Sequence, residues 1–238
     1  MDKYSLNARI YPIVLLLLPL IVLGIAYSIS YKSYIEAITS LGISGVFVYL
    51  FSNLGRDKGK QLEPSLWKLW GGAPTTQIFS FDNEIIPLDI KLRYHKKLNK
   101  LFPLQFKTSP DFEKSNPDKS KDAYESWTNY LISQTRDLEK FSLLFKENIS
   151  YGFRRNLLGL KLYGIVFNII TLLGNYLWQA FTLGFQNILV YPKEFYLSEA
   201  ILLILMSFWI FIVKKNWVKI PAFAYAERLI ETIDIIAP

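Results

Sequence analysis

The chain has no cysteine and a single histidine, His95, among its 238 residues. The first absence excludes disulfides, thiolate nucleophiles and cysteine-ligated metals. The second leaves a zinc site only His95 and carboxylates to draw on, and no metal-ligand spacing is present. Neither a Ser-His-Asp arrangement nor a Gly-x-x-x-x-Gly-Lys-Ser/Thr phosphate loop occurs. No nucleophile–base pair stands out, so the expectation is a protein that is not an enzyme and needs no cofactor. Acidic residues are outnumbered, 20 Asp and Glu against 27 Lys and Arg, for a net charge of +7.

Apolar residues are abundant, at 51%, and they come in blocks. A helix crossing a bilayer needs about 20 mostly apolar residues. Four segments approach this, at residues 11–28, 35–51, 162–183 and 198–213. The first holds the run Ile13-Val14-Leu15-Leu16-Leu17-Leu18. The second is the weakest, with Glu36, Thr39, Ser40, Gly42, Ser44 and Gly45. The third has no Asp, Glu, Lys or Arg but is interrupted by Asn168, Asn175 and Gln179. The first span is expected to stay on the chain, because no small-residue cleavage site follows it and a second apolar segment comes a few residues later.

Basic residues flank these segments unevenly. Lys3 and Arg9 precede the first, Arg56, Lys58 and Lys60 follow the second, Arg154, Arg155 and Lys161 precede the third, and Lys214, Lys215 and Lys219 follow the fourth. With four crossings, every cluster falls on one side, which short loops rich in Lys and Arg identify as cytoplasmic. The expected fold is therefore a mainly α membrane protein. Four transmembrane helices form two hairpins, and a cytoplasmic helical or α+β domain is inserted between them. The expected boundaries are 1–52 for the first hairpin, 53–158 for a basic sensor domain, 159–215 for the second hairpin and 216–238 for an amphipathic tail. Both termini are expected to face the cytoplasm of a multi-pass protein.

Within the middle segment, a short helix is expected over 63–70, with Pro64 in its first turn and Gly71-Gly72 at its end. Ile78-Phe79-Ser80-Phe81 reads as a strand, with a turn at Asp82-Asn83. Residues 88–101 read as a helix with Leu88, Leu92 and His95 on one face. Residues 108–122 read as a loop, and 121–149 as one long amphipathic helix carrying Trp127, Leu131, Leu138, Phe141 and Phe145. Residues 221–236 read as an amphipathic tail helix.

Three constellations could carry function. The first is Lys91, Arg93, Tyr94, His95, Lys96, Lys97 and Lys100. Residues 52–158 hold 18 Lys and Arg against 13 Asp and Glu. Such a cluster can hold phosphates through charge-assisted hydrogen bonds, with Tyr94 stacking a base. The same residues also suit a solvated face near anionic lipid headgroups. The second is Gly71, Gly72, Thr75 and Thr76, where bare backbone could approach a ligand or simply end a helix. The third is a polar stripe in the third span, Asn168, Thr171, Asn175 and Gln179 at helical spacing. It either lines a pore in a homo-oligomer or holds helices together by hydrogen bonds. Arg154 and Arg155, beside that span, are placed to couple the middle domain to the membrane or to anchor it to lipid phosphates. Glu36 and Glu199 fall at expected outer membrane ends.

The block Trp70-Gly71-Gly72-Ala73-Pro74-Thr75-Thr76, followed by Arg93-Tyr94-His95, sits in a chain of this layout. Together they resemble the transmembrane effectors of bacterial antiphage-defence systems of the Hailong type. The likeness covers the layout and residues 55–100. It implies a homo-oligomeric channel controlled by a nucleotide or oligonucleotide signal from a partner nucleotidyltransferase, acting by loss of membrane potential. A non-conducting membrane scaffold that recruits a soluble partner is the alternative.

Overall fold

The computed structural model describes residues 3–30, 35–102, 106–185 and 187–236, with the side chains of residues 29, 30, 35–37, 40 and 50 outside the description. The expectations for Glu36 and Ser40 lie outside the described residues. Helices account for all the regular structure among those described, and no strand forms. A π-helical turn, Ser5–Ile10, leads into α1 (Tyr11–Ser30), which is followed by α2 (Ile35–Phe51) and α3 (Leu54–Trp70). Next come α4 (Pro74–Phe79), α5 (Leu88–Leu101), α6 (Pro110–Ser115) and α7 (Pro117–Gln134). The long α8 (Ser142–Leu183) precedes α9 (Lys193–Ser207), which continues as a π-helical turn, Phe208–Ile212. The chain closes with α10 (Lys215–Glu231) and α11 (Ile233–Ile236).

Three helical stretches are long and apolar enough to cross a membrane: Ser5–Ser28, Ser142–Leu183 and Lys193–Ile212. The protein is thus consistent with a membrane protein by the length and composition of its helices. α2, at 17 residues, falls short of the roughly 20 that a straight crossing takes.

The chain divides into two compact units. The first joins Met1–Leu62 to Gly152–Trp217, and the second joins Glu63–Tyr151 to Val218–Pro238. In the first unit, Ile13, Leu16 and Leu17 of α1 pack with Leu157 and Leu160 of α8 and with Trp209 and Val213. The Trp209 ring lies against α8 where Gly164 leaves room; a Cβ there would come within 2.3 Å of the indole. In the second unit, Ile78 and Phe79 of α4, Tyr94 and Leu98 of α5, Tyr124, Trp127 and Leu131 of α7 and Leu229, Ile230 and Ile233 near the C-terminus share one core. The expected tail from residue 218 on belongs to this unit, and its Ala226, Leu229, Ile230 and Ile233 enter the core.

Several local expectations are corrected. The run expected as a strand lies in α4 and the turn behind it, because Pro74 can open a helix at its first position. α3 begins at Leu54 and passes through Pro64, so no separate helix starts at 63. The expected loop 108–122 holds α6, capped by the Ser109 hydroxyl, and the start of α7. The expected helix 121–149 is broken between Gln134 and Ser142, where the Asp137 carboxylate accepts from the backbone N–H groups of Glu139 and Lys140. Leu138, in that break, is exposed rather than in the core. At the end of α3, Gly71 and Gly72 have φ of 93° and 139°. The N–H of Gly72 donates to the carbonyl of Trp67 at 2.7 Å and that of Gly71 to Lys68 at 3.4 Å. This pair of bonds is a Schellman stop, which glycine permits at little cost.

Candidate anion-binding site

α5 carries most of the basic cluster and distributes it around its circumference. At 3.6 residues per turn, side chains four apart share a face. Lys91, Tyr94, His95 and Leu98 turn inward. Arg93 and Lys97 share a second direction, and Lys96 and Lys100 a third. Leu88 and Leu92, expected on the buried face, are exposed.

Lys91 is only 2% exposed. Its ammonium donates to the carbonyls of Ser80 and Asn83, closing the turn after α4. Burial lowers its pKa below the usual lysine value, against the opposing pull of Glu113 and Asp82. Lys91 therefore has a structural position, not one open to a ligand. His95 is equally buried. Its Nε2 lies 3.0 Å from the Phe79 carbonyl and its Nδ1 2.9 Å from Thr108 Oγ1. A carbonyl only accepts, so Nε2 carries the proton and the Thr108 hydroxyl donates to Nδ1. Thr108 Oγ1 in turn accepts from Asn99 Nδ2 at 3.1 Å. Burial pushes the His95 pKa down to about 4, so the ring is neutral and cannot supply charge to a ligand.

Arg93 and Lys97 are also engaged, both on Asp234 of α11. Arg93 Nη2 reaches Oδ2 at 2.8 Å and Lys97 Nζ reaches Oδ1 at 3.0 Å. The buried Tyr94 donates its hydroxyl to the same carboxylate at 3.0 Å. Asp234 thus offsets the charges of Arg93 and Lys97, although the Arg93 side chain remains half exposed.

The lysines left are Lys96 and Lys100. Together with Lys107 they border a cavity of about 440 Å3, completed by Leu92, His95, Asn99, Thr108 and Ser109. No carboxylate is among these lining residues. The His95–Thr108–Asn99 chain fixes the wall between α5 and the segment leading into α6. Ammonium groups here hold anions as point charges with rotatable donors.

The Gly71–Thr76 constellation borders a different cavity, of about 390 Å3, which also takes in Asp82, Glu113, Lys121 and Tyr124. Glu113 accepts from the Ser80 hydroxyl, from the backbone N–H of Phe81 at 2.9 Å and from the Tyr124 hydroxyl at 2.9 Å. Burial and this carboxylate hold the Tyr124 phenol protonated far above its usual range. Thr75 is buried. With two carboxylates in its wall, this cavity is unsuited to a polyanion, so Gly71, Gly72, Thr75 and Thr76 do not join the lysines in one site.

In the first unit the polar stripe is turned into the bundle. Tyr27 of α1 donates to Asn175 Oδ1 and accepts from Gln179 Nε2 at 2.8 Å. Asn175 Nδ2 donates to Ser198 Oγ at 3.1 Å and to Glu199 Oε1 at 2.8 Å on α9. Three helices are thereby tied together by one amide. Thr171 returns its hydroxyl to the Phe167 carbonyl of its own helix. Asn168 is fully buried, yet neither atom of its amide has a partner among the described residues. Of the two readings of the stripe, Asn175 and Gln179 take the interhelical one within a single chain. Arg154 donates to the Trp217 carbonyl at 3.1 Å and lies 4.9 Å from that ring. Arg155 is buried and donates to Asn156 Oδ1, while Asn156 Nδ2 donates to the Ala8 carbonyl at 2.6 Å.

Asn99, Lys107, Thr108 and Ser109 were missed as site residues by sequence reasoning, as was Tyr27 in the network that joins α1, α8 and α9. The Ser109-Pro110 pair, a cap followed by a first-turn proline, was the available signal for a helix start beside α5. The chain matches no protein-family model, no curated protein and no solved structure.

Proposed function

We propose that this protein is a multi-pass effector of a bacterial inner membrane that senses a phosphate-bearing anion. The reading rests on one observation: Lys96, Lys100 and Lys107 border a cavity with no carboxylate among its lining residues. A ligand of nucleotide or oligonucleotide type fits that chemistry, its phosphates meeting ammonium groups. The source of such a ligand would be a partner nucleotidyltransferase in antiphage defence. In this reading the protein is not an enzyme, its four spans place both termini in the cytoplasm, and several copies assemble to let ions cross. α8, like α3 and α10, contributes residues to both compact units, and in this reading the signal passes along it toward the membrane, past Arg154 and Arg155. A ligand shifts such an equilibrium only by its unequal affinity for the two states.

The test combines binding and membrane potential. Purified full-length protein in nanodiscs is titrated with ATP and with a short oligoadenylate, and cells expressing it are followed with a potential-sensitive dye. The Lys96→Gln, Lys100→Gln, Lys107→Gln triple variant should lose both signals. If it keeps ligand binding and depolarisation at wild-type levels, the reading is wrong.

A scaffold without conduction is the second reading. It is favoured by the closed hydrogen bonding of Asn175 and Gln179 to Tyr27, Ser198 and Glu199, which leaves those amides inside the bundle. Wild-type cells that keep their membrane potential at full expression, with ligand present, would decide for it.

A further inference from the structure

A second cavity in the first unit has a composition unlike the lysine-lined one. It is a groove of about 420 Å3 between α3 and α8, lined by Lys58, Gln61 and Leu62 on one side and by Leu158, Gly159, Lys161, Leu162 and Ile165 on the other. Two ammonium groups thus share a groove with four aliphatic side chains. The helices meet at its floor, where a Cβ on Gly159 would lie 2.6 Å from the backbone nitrogen of Gly59.

Its place in the sequence is as informative as its lining. Lys161 is the last charged residue before a stretch, 162–192, that has no Asp, Glu, Lys or Arg. The groove therefore lies where charge gives way to hydrocarbon-compatible chain. Tyr163, half-exposed, stands beside it with Lys58 Nζ 5.9 Å from its ring centre. Tyrosine with lysine at the end of an apolar helix is the usual occupant of the headgroup level. Lys161 Nζ donates to the Val213 carbonyl at 2.8 Å and to Ile210 at 3.2 Å. It covers the open carbonyls at the end of the α9 stretch, and an ammonium has three donors, so one remains for another acceptor. Leu162 is among the more exposed leucines, which suits a side chain meeting an acyl chain.

We propose that this groove holds one anionic phospholipid, its phosphate on Lys58 and Lys161 and an acyl chain along Leu158, Leu162 and Ile165. The proposal needs only the membrane location and is independent of what the lysine-lined cavity binds. Lys58 is the residue to test, because Lys161 also supports the α9 terminus and its loss would weaken the fold.

The experiment is native mass spectrometry of the full-length protein in neutral detergent, with phosphatidylglycerol or phosphatidylcholine added. Wild type should retain phosphatidylglycerol in preference to phosphatidylcholine. Lys58→Gln should weaken the retention of phosphatidylglycerol by about fivefold, the scale of one basic residue at an anionic surface. Lys58→Arg should restore it. Equal retention of the two lipids, or unchanged retention in Lys58→Gln with an unchanged melting temperature, would overturn the proposal. Displacement by free glycerol phosphate as effectively as by lipid would also overturn it, because the groove would then be a soluble-phosphate site.

Discussion

His95 Nδ1 lies 2.9 Å from Thr108 Oγ1, and the direction of that hydrogen bond makes the histidine a pH-sensitive part of the second unit's core. With Nε2 donating to Phe79, protonation at Nδ1 would set a donor against a donating hydroxyl. Burial holds the folded-state pKa at about 4, below the 6.5 of the free side chain. Between these values the unfolded chain binds more protons, so stability falls as pH falls from 6.5 toward 4. Above 6.5 this group contributes no pH dependence. The loss at pH 4.5 should be about 2–3 kcal/mol. Thermal unfolding of the full-length protein between pH 7.5 and 4.5 measures it. His95→Gln should show a shallower acid slope than wild type; an identical slope would mean that His95 is not the titrating group.

Lys91 and Lys96 sit five positions apart on α5 and should respond to mutation in opposite ways. Lys91→Met keeps the stem but leaves two carbonyls, those of Ser80 and Asn83, without their donor. The expected cost is about 2–4 kcal/mol, read as a fall in melting temperature. Lys96→Gln, on an exposed side chain, should change stability by less than about 0.5 kcal/mol. Binding of a short oligoadenylate should instead weaken in Lys96→Gln. The wild-type affinity should fall with salt at a log–log slope of about −2, from roughly 0.7 per neutralised phosphate on a single strand. A slope near zero would show that the three lysines do not meet phosphates.

The same pair shows what was legible in the sequence. Four apolar runs were legible as spans, and three of them fall in stretches long and apolar enough to cross a membrane, because length and composition are what a hydrocarbon core demands. The helical pattern of α5 was also legible from its period. Which face it buries was not: Leu88 and Leu92 looked like core and are exposed, while Lys91 looked like surface and is buried. The inward turn of Lys91 depends on carbonyls at Ser80 and Asn83, which no local pattern around residue 91 announces. Likewise Asp234, far away in sequence, takes Arg93 and Lys97 out of the basic cluster. Charge counting assumes that like charges along a helix share one fate, and long-range pairing divides them. The run Ile78-Phe79-Ser80-Phe81 misled for another reason: four residues satisfy strand and buried-helix patterns alike, and Pro74 decided it.

Gly164 is the position where α8 admits the Trp209 ring. A Cβ would fall 2.3 to 2.6 Å from three indole atoms, and a fully buried ring has nowhere nearby to go. Gly164→Ala should therefore destabilise the first unit by about 1–3 kcal/mol through overpacking, despite alanine's better helix propensity. Tryptophan fluorescence during thermal unfolding reports it. Gly174→Ala, on the same helix with open space around its Cβ position, should be neutral or stabilising by up to about 1 kcal/mol. Equal effects at the two glycines would remove the contact with Trp209 from the account.

Asn168 and Asn175, two turns apart on α8, should separate under one substitution. Asn175 has three partners, Tyr27 on α1 and Ser198 and Glu199 on α9, so Asn175→Leu takes from Ser198 and Glu199 their hydrogen bonds to α8 and leaves Tyr27 held there by Gln179. Hydrogen bonds between membrane helices are worth about 0.6–2 kcal/mol each, and a melting-temperature drop of that scale or larger is expected. Asn168 has a fully buried amide with no partner among the described residues. Leucine has the same branched shape and no polar atom to leave unsatisfied, and that gain should offset its larger volume, so Asn168→Leu should hold stability. The pair also bears on conduction. If ions pass along the polar interior of the bundle, Asn168→Leu should reduce depolarisation while the protein remains folded. A stable Asn168→Leu protein that depolarises cells as strongly as wild type would place the conducting path away from this stripe.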